Sequence, residues 1–354
     1  MPEDTMTSLE RMHRLMAGEP IDRVPISASS MRGFSAKTVG YSIGECYADP
    51  EKSFRAQMMT REMYDLDSFL TLTYASFGAW ELGGDIKFPY GSWDQAPTPT
   101  RRPVASPEDV ERLVFPDIAS AGILPLVHRF DELCLQHDLP AFFPNSAPFD
   151  VANNVAGPEV FMRWMIRTPD TAHALLRKVT DFLFRVAEYF AAEFGPEKII
   201  PFSGGALLTN QMISPRQFEE FGLPYILEIN EKVLELGVPR IFIHVCGDQN
   251  RNLEYYAKVP FGNHGIVSCS EMLDLSKWKT TLGTRAIIAG NVDPVLLQTG
   301  TPEQVYEATK LCVVENKDSP QGFILMTGCE LPPMAPPINV YYMKKAVQDW
   351  GFYD

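Results

Sequence analysis

Short apolar segments alternate with amphipathic segments along this chain, and this alternation restricts its fold more than any other feature. Eight segments are rich in β-branched, aromatic or other apolar residues and are short enough for buried strands. They cover residues 24–28, 66–73, 139–143, 199–202, 240–245, 265–268, 286–289 and 323–326. Helical patterns fall between them, most clearly at 158–167, 171–193, 215–236, 302–315 and 336–350. The repeat predicts an α/β fold, a parallel (β/α)8 TIM barrel, with a doubly wound open sheet as the second choice.

Two segments fall outside the alternation. Residues 6–18 have an amphipathic pattern that stops at Gly18, which predicts an N-terminal helical extension. Residues 88–116 are rich in Pro, Thr and Ser, and they predict a long inserted loop or hairpin near the mouth of the barrel. No internal repeat or clear second-domain boundary is present, so we expect residues 1–354 to form a single domain.

Composition and charge disfavour several classes of function. Apolar residues make up 45% of the 354 residues and charged residues 21%, which suits a soluble enzyme with a large core. The formal net charge of −14, without a cluster of Lys and Arg, disfavours nucleic-acid and membrane binding. The chain has no uninterrupted apolar run of about 18 residues and a polar N-terminus, so we expect a cytoplasmic protein. Six cysteines are too sparse for a disulfide framework, which leaves reduced thiols for metal binding.

Three side chains at predicted strand ends form a candidate metal site. In R-I-F-I-H-V-C-G-D, His244 and Cys246 are two residues apart, so both side chains leave the same face of an extended chain. A third thiol, Cys329 in M-T-G-C-E-L-P-P, follows another apolar segment. One nitrogen and two sulfurs can hold a catalytic Zn²⁺ with one open position. Each residue taken alone is more often a packed core residue.

Other residues follow the predicted strands at the end where barrel enzymes hold their active sites. The polar candidates are Asn145, Ser203, Ser268, Glu271 and Asn291. Gly204 and Gly205 lack the rest of a phosphate-binding motif and instead predict room for a ligand against the backbone. We therefore expect Asn145, Gly204 and Gly205 to bind a cofactor or substrate, and Ser203 and Asn291 to serve catalysis. Polar residues at loop starts can equally be structural.

Motifs along nearly the whole chain resemble those of the uroporphyrinogen decarboxylase superfamily. They are R-L-M-A-G-E-P-I-D-R-V-P (14–25), W-E-L-G-G-D-I-K-F-P (80–89), I-S-P-R-Q-F-E-E-F (213–221), H-V-C-G-D (244–248), G-N-V-D-P (290–294) and T-G-C-E-L-P-P-M-A-P-P-I-N-V (327–340). Within that superfamily, the H-x-C motif and the later G-C are similar to the zinc-dependent, corrinoid-linked methyltransferases.

This resemblance implies a specific set of partners and roles. Zn²⁺ is expected on His244, Cys246 and Cys329, with Glu271 in the fourth position until a substrate displaces it. Cobalamin is expected on a separate corrinoid protein, and a small molecule is expected as methyl donor or acceptor. The implied reaction exchanges a methyl group between that corrinoid and a thiol or pterin. A homodimer is compatible with this interpretation.

Several alternatives stay open at this stage. The enzyme can instead demethylate a methylated or methoxylated compound and pass the methyl group to cob(I)alamin. The aromatic residues that can contact such a substrate, or simply pack together, are Trp80, Phe88, Tyr90 and Trp93. The chain can also be a non-catalytic ligand-binding barrel. A uroporphyrinogen decarboxylase is disfavoured, because residues 29–35 offer only Arg32 to hold substrate carboxylates. Residues 202–206 lack the acidic residue of many relatives, which leaves the methyl donor and acceptor unassigned.

Overall fold

Strands and helices alternate along the chain in the predicted order. The computed structural model of the protein describes residues 3–28, 30–91 and 94–353. Its strands are β1 (Ile26–Ser27), β2 (Asp85–Lys87), β3 (Thr98–Arg101), β4 (Ala141–Pro144), β5 (Ile199–Gly204), β6 (Phe242–Val245), β7 (Ile266–Cys269), β8 (Ile287–Val292) and β9 (Phe323–Thr327). Its helices are α1 (Ser8–Ala17), α2 (Arg32–Val39), α3 (Ile43–Ala48), α4 (Pro50–Tyr64), α5 (Pro107–Arg112), α6 (Leu124–Leu135), α7 (Pro148–Ala156), α8 (Pro158–Arg167), α9 (Pro169–Phe194), α10 (Pro215–Gln217), α11 (Leu223–Glu235), α12 (Leu253–Tyr256), α13 (Leu275–Leu282), α14 (Pro294–Thr299), α15 (Pro302–Asn316) and α16 (Pro337–Trp350).

One sheet of seven parallel strands forms the wall of the barrel. Its strand order is β1-β9-β8-β7-β6-β5-β4, so consecutive strands of the chain are neighbours from β4 to β9. A doubly wound sheet would reverse its strand order at one point, and this sheet has no reversal. The prediction of a (β/α)8 barrel is therefore confirmed, and the open-sheet alternative is wrong.

The prediction of a strand at residues 66–73 is wrong, because this segment does not form a regular strand, although it is buried beside β1. The Asp67 carboxylate accepts from Ile26 N at 2.9 Å, and Ser68 Oγ accepts from Ala28 N at 3.0 Å. These two side chains bind donors of β1 and the residue after it, where a neighbouring strand would offer backbone carbonyls. The ring of Phe69 packs on Phe142 of β4 at 4.9 Å. Asp67 N also donates to Ile26 O at 2.7 Å, but this single backbone bond does not make a ladder. The segment therefore occupies the eighth position of the barrel without being a regular strand.

Helix α1 covers the end of the barrel at which the strands begin. It starts with a Thr7 cap and stops at Gly18, whose φ of 72° is the left-handed conformation that glycine adopts without strain. Its side chains Met12, Leu15 and Met16 belong to one buried cluster with the first inward-facing residues of the strands. Arg240 Nη1 also donates to Met16 O at 2.6 Å. The predicted N-terminal helical extension is confirmed, and it closes the amino end of the barrel.

A hairpin and a short helix occupy the region of the predicted insertion, but the hairpin begins at Asp85, three residues before the predicted start at residue 88. Strands β2 and β3 pair antiparallel, and α5 follows them. Ser76 Oγ donates to Pro97 O at 2.7 Å, which ties the insertion to the loop that contains Ala75. The rings of Trp80 and Phe88 meet edge to face at 5.9 Å, and Tyr90 packs on Phe88. These three aromatic residues therefore pack together, while Trp93 lies outside the described residues.

The predicted helices are confirmed to within a few residues at most ends. Helix α15 begins with a capping box, in which Thr301 Oγ1 accepts from Gln304 N while the Gln304 side chain accepts from Thr301 N. The predicted helix at 215–236 is divided, because a π-helical turn at Phe218–Gly222 joins α10 to α11. None of the helices in the described part of the chain is long and apolar enough to cross a membrane.

Candidate metal centre

His244, Cys246 and Cys329 meet at the end of the barrel where the strands finish. One nitrogen and the two sulfurs lie within 4.8 Å of one another. His244 is on β6 and Cys329 follows β9, and β7 and β8 lie between these strands. In a flat sheet, three interstrand steps would separate the strands by about 14 Å. The curvature of the barrel wall therefore brings together three side chains that a flat sheet would keep apart.

The imidazole of His244 is oriented by its neighbour on β7. His244 pairs with Ser268 in the register of the two strands, and Nδ1 lies 3.1 Å from Ser268 Oγ. The other ring nitrogen, Nε2, is buried and has no hydrogen-bond partner within residues 3–28, 30–91 and 94–353. An Nδ1–H that donates to Ser268 leaves the lone pair on Nε2, the form in which histidine binds a metal ion.

The two cysteines influence each other's ionisation. The hydrogen bond between the sulfurs and the neighbouring His244 together lower the pKa of Cys329 to about 4, although burial opposes them. The same hydrogen bond raises the pKa of Cys246, and so does its burial. Gln249 Nε2 donates to Cys246 O at 3.1 Å, and Thr327 Oγ1 donates to Cys329 O at 2.5 Å. These hydrogen bonds hold the backbone carbonyl groups of both cysteines in place.

These donors fit Zn²⁺. A neutral imidazole and two thiolates together carry two negative charges, which a divalent cation balances. The partnerless Nε2 of His244 is the observation that best supports this fit, because a buried imidazole nitrogen ordinarily has a partner. One nitrogen and two sulfurs also match the protein ligands of catalytic zinc sites, which keep a position for water or substrate.

Glu271 and Asn291 lie beside this cluster and outside it. A Cβ on Gly328, the residue before Cys329, would stand 2.8 Å from Glu271 Oε2, which places the carboxylate next to that backbone. Asn291 Nδ2 donates to Ser270 O at 3.0 Å and to Leu273 O at 3.2 Å. The amide of Asn291 therefore holds the loop that carries Glu271. The catalytic roles of both residues stay predictions.

The remaining predicted residues divide between the two faces of their strands. Gly204 and Gly205 line a cavity beside the three donors. Ser203 pairs with Ile243, which packs on the helix-facing side, so Ser203 points away from this cavity. Asn145 follows β4 and is fully buried; its side-chain amide has no hydrogen-bond partner, and it does not line the cavity.

The cavity beside the three donors has a volume of about 150 Å³ and mixes polar and apolar walls. The residues that line it are Ser30, Arg32, Thr73, Tyr74, Ala75, Ser146, Asp150, Phe202, Gly204, Gly205, Ala206, His244, Cys246, Cys329 and Glu330. Two carboxyl groups among them, those of Asp150 and Glu330, were missed by sequence reasoning. Glu330 directly follows Cys329, which is a signal that could have found it.

Asp150 reaches the cavity from the start of α7. Its Oδ1 accepts from Leu207 N at 2.9 Å, and its Oδ2 is buried without a partner. Burial raises the pKa of Asp150 to about 7, although backbone hydrogen bonds from the loop after β5 oppose this effect. The signal in the sequence is its position, because Pro148 starts a helix directly after β4 and places Asp150 within the first turn.

Comparisons with known proteins agree with this architecture. The family model described as uroporphyrinogen decarboxylase (URO-D) matches residues 7–350. The methylated-thiol:coenzyme M methyltransferase of Methanosarcina mazei is 31% identical over 64% of this chain, which spans 60% of that relative's length. The methylcobamide:CoM methyltransferase MtbA of the same organism is 25% identical over 98% of this chain and 99% of its own length.

A decarboxylase and a solved structure are also similar. The uroporphyrinogen decarboxylase of Salinibacter ruber is 27% identical over 81% of both chains. A solved structure of a methyltransferase from Methanosarcina mazei superimposes with a TM-score of 0.82 at 22% identity, covering 97% of this chain and 99% of that one. That superposition supports the barrel fold.

Proposed function

The chain belongs to the uroporphyrinogen decarboxylase family, and within that family we propose that it is a zinc-dependent methyltransferase that passes a methyl group from a corrinoid to a thiol. The observation that carries the proposal is the convergence of His244, Cys246 and Cys329 beside a cavity at the carboxyl end of the barrel. The names of the relatives, methylcobamide:CoM and methylated-thiol:coenzyme M methyltransferases, support the same reaction.

The chemistry of the three donors explains how such a site can work at neutral pH. Bound Zn²⁺ supplies a Lewis acid that favours the thiolate form of a substrate thiol. Ser268 holds His244 in the tautomer that offers Nε2, and the two cysteines neutralise the charge of the cation. Asn291 holds the loop of Glu271 beside the cluster, so this carboxylate would be available as a further ligand when no substrate is bound. The reacting sulfur is thereby held at the cavity wall, within reach of a methyl donor at the barrel mouth.

The size and charge of the cavity disfavour the decarboxylase alternative. Pockets for drug-sized ligands enclose about 300–1,000 Å³, and this cavity encloses about 150 Å³. Arg32 is the one Arg or Lys among its described lining residues, and its guanidinium already donates to Thr71 and Tyr47. A tetrapyrrole with several carboxylates would find neither the volume nor the cations that it needs.

Metal analysis and a methyl-transfer assay test the proposal together. We expect about one zinc per chain in the purified protein, and loss of at least nine tenths of it in Cys246→Ser and in Cys329→Ser. Transfer from free methylcobalamin to a small thiol should fall at least 100-fold in both variants. Cys134→Ala is the matched control, because Cys134 lies on α6 outside the cluster, and this variant should keep its zinc.

Two results would contradict the proposal. One is zinc binding that survives the loss of both Cys246 and Cys329. The other is a zinc-loaded protein that transfers no methyl group to any small thiol but releases methyl groups from methoxylated compounds to cob(I)alamin. The second result would select the demethylating alternative.

A further inference from the structure

Asp150 is the buried charged group of the cavity that the proposed chemistry leaves unused. It is 5% exposed, and it lines the cavity together with Cys246 and Cys329. Its Oδ1 is held by Leu207 N, whereas Oδ2 has no hydrogen-bond partner among the residues that the structure describes. Buried polar oxygens are normally hydrogen-bonded, because the loss of water otherwise destabilises the fold. A free carboxylate oxygen in a ligand cavity therefore indicates a donor group on the ligand.

Cations of the protein do not satisfy this carboxylate. The guanidinium of Arg32 donates to Thr71 and to Tyr47 Oη, and it lies 5.0 Å from the centre of the Tyr47 ring. It also counteracts the effect of burial on the pKa of Glu330, so its charge acts on that carboxyl group. The terminal nitrogens of Arg32 thus bind on the side of Thr71 and Tyr47, its Nε has no partner among the described residues, and no ion pair there joins it to Asp150.

The charges of the cavity also restrict which chemical group a substrate can carry at the end opposite its sulfur. Asp150 and Glu330 both line it, and Glu330 Oε1 has no hydrogen-bond partner either. A substrate that ends in a sulfonate or a carboxylate would meet two carboxyl groups in a small buried space. Like charges at short range in such a space repel strongly. The same space favours a protonated amine or a hydroxyl group, which can donate to Asp150 Oδ2.

We propose that Asp150 selects a short thiol that carries a hydrogen-bond donor, an ammonium or a hydroxyl group, at the end opposite its sulfur. This inference rests on the proposed function, because the sulfur is taken to bind at the zinc position beside Cys246 and Cys329. The cavity of about 150 Å³ accommodates a molecule of a few heavy atoms between that position and Asp150. Thiols that end in an anion are disfavoured, because the anionic end would lie beside Asp150 and Glu330.

Three thiols of two carbons each test the selection, because they differ only in the terminal group: cysteamine, 2-mercaptoethanol and 2-mercaptoethanesulfonate. Binding to the zinc-loaded protein is measured by calorimetry at pH 8 without methyl donor, and kcat/KM is measured with free methylcobalamin. We expect cysteamine to bind at least 10-fold more tightly than the sulfonate, with the hydroxyl compound between them. Cysteamine and 2-mercaptoethanol together distinguish an ammonium from a hydroxyl as the preferred donor.

Asp150→Asn tests the residue itself. The asparagine keeps a carbonyl oxygen for Leu207 N, so the fold and the zinc content should remain. The preference for cysteamine over the sulfonate should fall to less than 3-fold, while 2-mercaptoethanol changes little. Asp293→Asn is the charge-matched control, because Asp293 caps α14 at the same end of the barrel and asparagine caps equally well. This control should keep the wild-type preference.

The outcomes separate the two proposals. Equal binding of the three thiols by the wild-type protein, or an unchanged preference in Asp150→Asn, would overturn the role of Asp150 and leave methyl transfer standing. Failure of all three thiols to bind a zinc-loaded protein would overturn both.

Discussion

At the scale of single residues, the orientation of His244 depends on one hydroxyl group. Ser268 on β7 lies 3.1 Å from Nδ1, and this contact fixes the plane in which the ring lies. Partners of this kind fix the ring of a metal-binding histidine and raise its affinity for the metal. The serine belongs to the neighbouring strand, so the pairing of β6 with β7 determines which nitrogen faces the thiols.

Ser268→Ala should therefore weaken zinc binding while all three donors remain. The expected loss of affinity is about 10- to 100-fold, measured by competition with a chromogenic zinc chelator. Ser203→Ala is the matched control, since Ser203 lies on the helix-facing side of β5 and should leave the affinity unchanged. Equal affinities in Ser268→Ala and wild type would show that Ser268 does not orient the ring.

The sequence predicts this cluster of donors because strand periodicity is simple. His244 and Cys246 are two residues apart, and side chains two residues apart share one face of a strand. The same rule explains why Ser203 does not reach the cavity, since its neighbours Phe202 and Gly204 take the inward positions. Asp150 could not be assigned in this way, because its burial depends on how α7 packs against the loop after β5.

At the scale of elements, the loop after β7 and the end of β9 are packed closely together. An added Cβ at Gly328 would lie 2.6 Å from the backbone nitrogen of Glu271 and 2.8 Å from its Oε2. Contacts this short require the loop or the strand end to move. Glycine at position 328 is thus required by the packing between two elements, and this packing sets the distance between Glu271 and Cys329.

Gly328→Ala should disturb the cluster without removing a donor. We expect a loss of about 1–3 kcal/mol in the free energy of unfolding, with weaker zinc binding, measured by urea denaturation and metal competition. Gly204→Ala is the comparison, because its Cβ would meet Phe202 at an ordinary 3.6 Å. If both variants have the same stability and zinc affinity, the close approach at Gly328 has no role.

The elements that the sequence predicts best are those whose backbone bonds are regular. Seven of the eight predicted strands pair in the sheet. Their side chains are mostly apolar, so their buried backbone N–H and C=O groups find hydrogen-bond partners in the neighbouring strands. Residues 66–73 are just as apolar in pattern, but Asp67 and Ser68 offer side-chain acceptors to β1. A sequence pattern shows that a segment is buried; it does not show which acceptors bind the donors of its neighbour.

At the scale of the whole molecule, a buried ionic network ties α1 to the barrel. The guanidinium of Arg11 binds Asp22 at 2.6 Å and Asp67 at 2.6 Å, and Arg11 is 1% exposed. Burial alone would raise the pKa of Asp22, but the hydrogen bond and charge of Arg11 outweigh burial and lower this pKa to about 2. The network therefore fastens the N-terminal helix to the segment beside β1.

Arg11→Met should leave the buried carboxylate of Asp22 without its cation, while Asp67 keeps Arg23 at 2.8 Å. The expected loss is about 3–5 kcal/mol of unfolding free energy at pH 7, measured by urea denaturation. The exposed pair of Arg163 and Glu159 supplies the control, because Arg163→Met should cost no more than about 0.5 kcal/mol. Similar losses in the two variants would mean that the network around Arg11 contributes no more than a surface pair.

The same network predicts a dependence of stability on pH. Because the pKa of Asp22 is lower in the folded state than its ordinary value of 3.8, the stabilisation is present above about pH 4. It is lost progressively as the pH falls from about 4 to about 2. In Arg11→Met this part of the acid dependence should disappear, which unfolding measured at pH 4 and pH 2.5 would show.

The closure of one end of the barrel by α1 has a kinetic consequence. Met12, Leu15 and Met16 fill the amino end, so we expect both substrates of the proposed reaction to enter through the opening at the carboxyl end, where the cavity lies. The thiol occupies the deeper position and must bind first in a compulsory order. A corrinoid that arrives early blocks this opening. We therefore expect excess methylcorrinoid to inhibit turnover, and we expect a higher thiol concentration to relieve this inhibition. Initial rates measured over a range of both concentrations test this order of binding. Absence of the inhibition would indicate that the two substrates bind in random order.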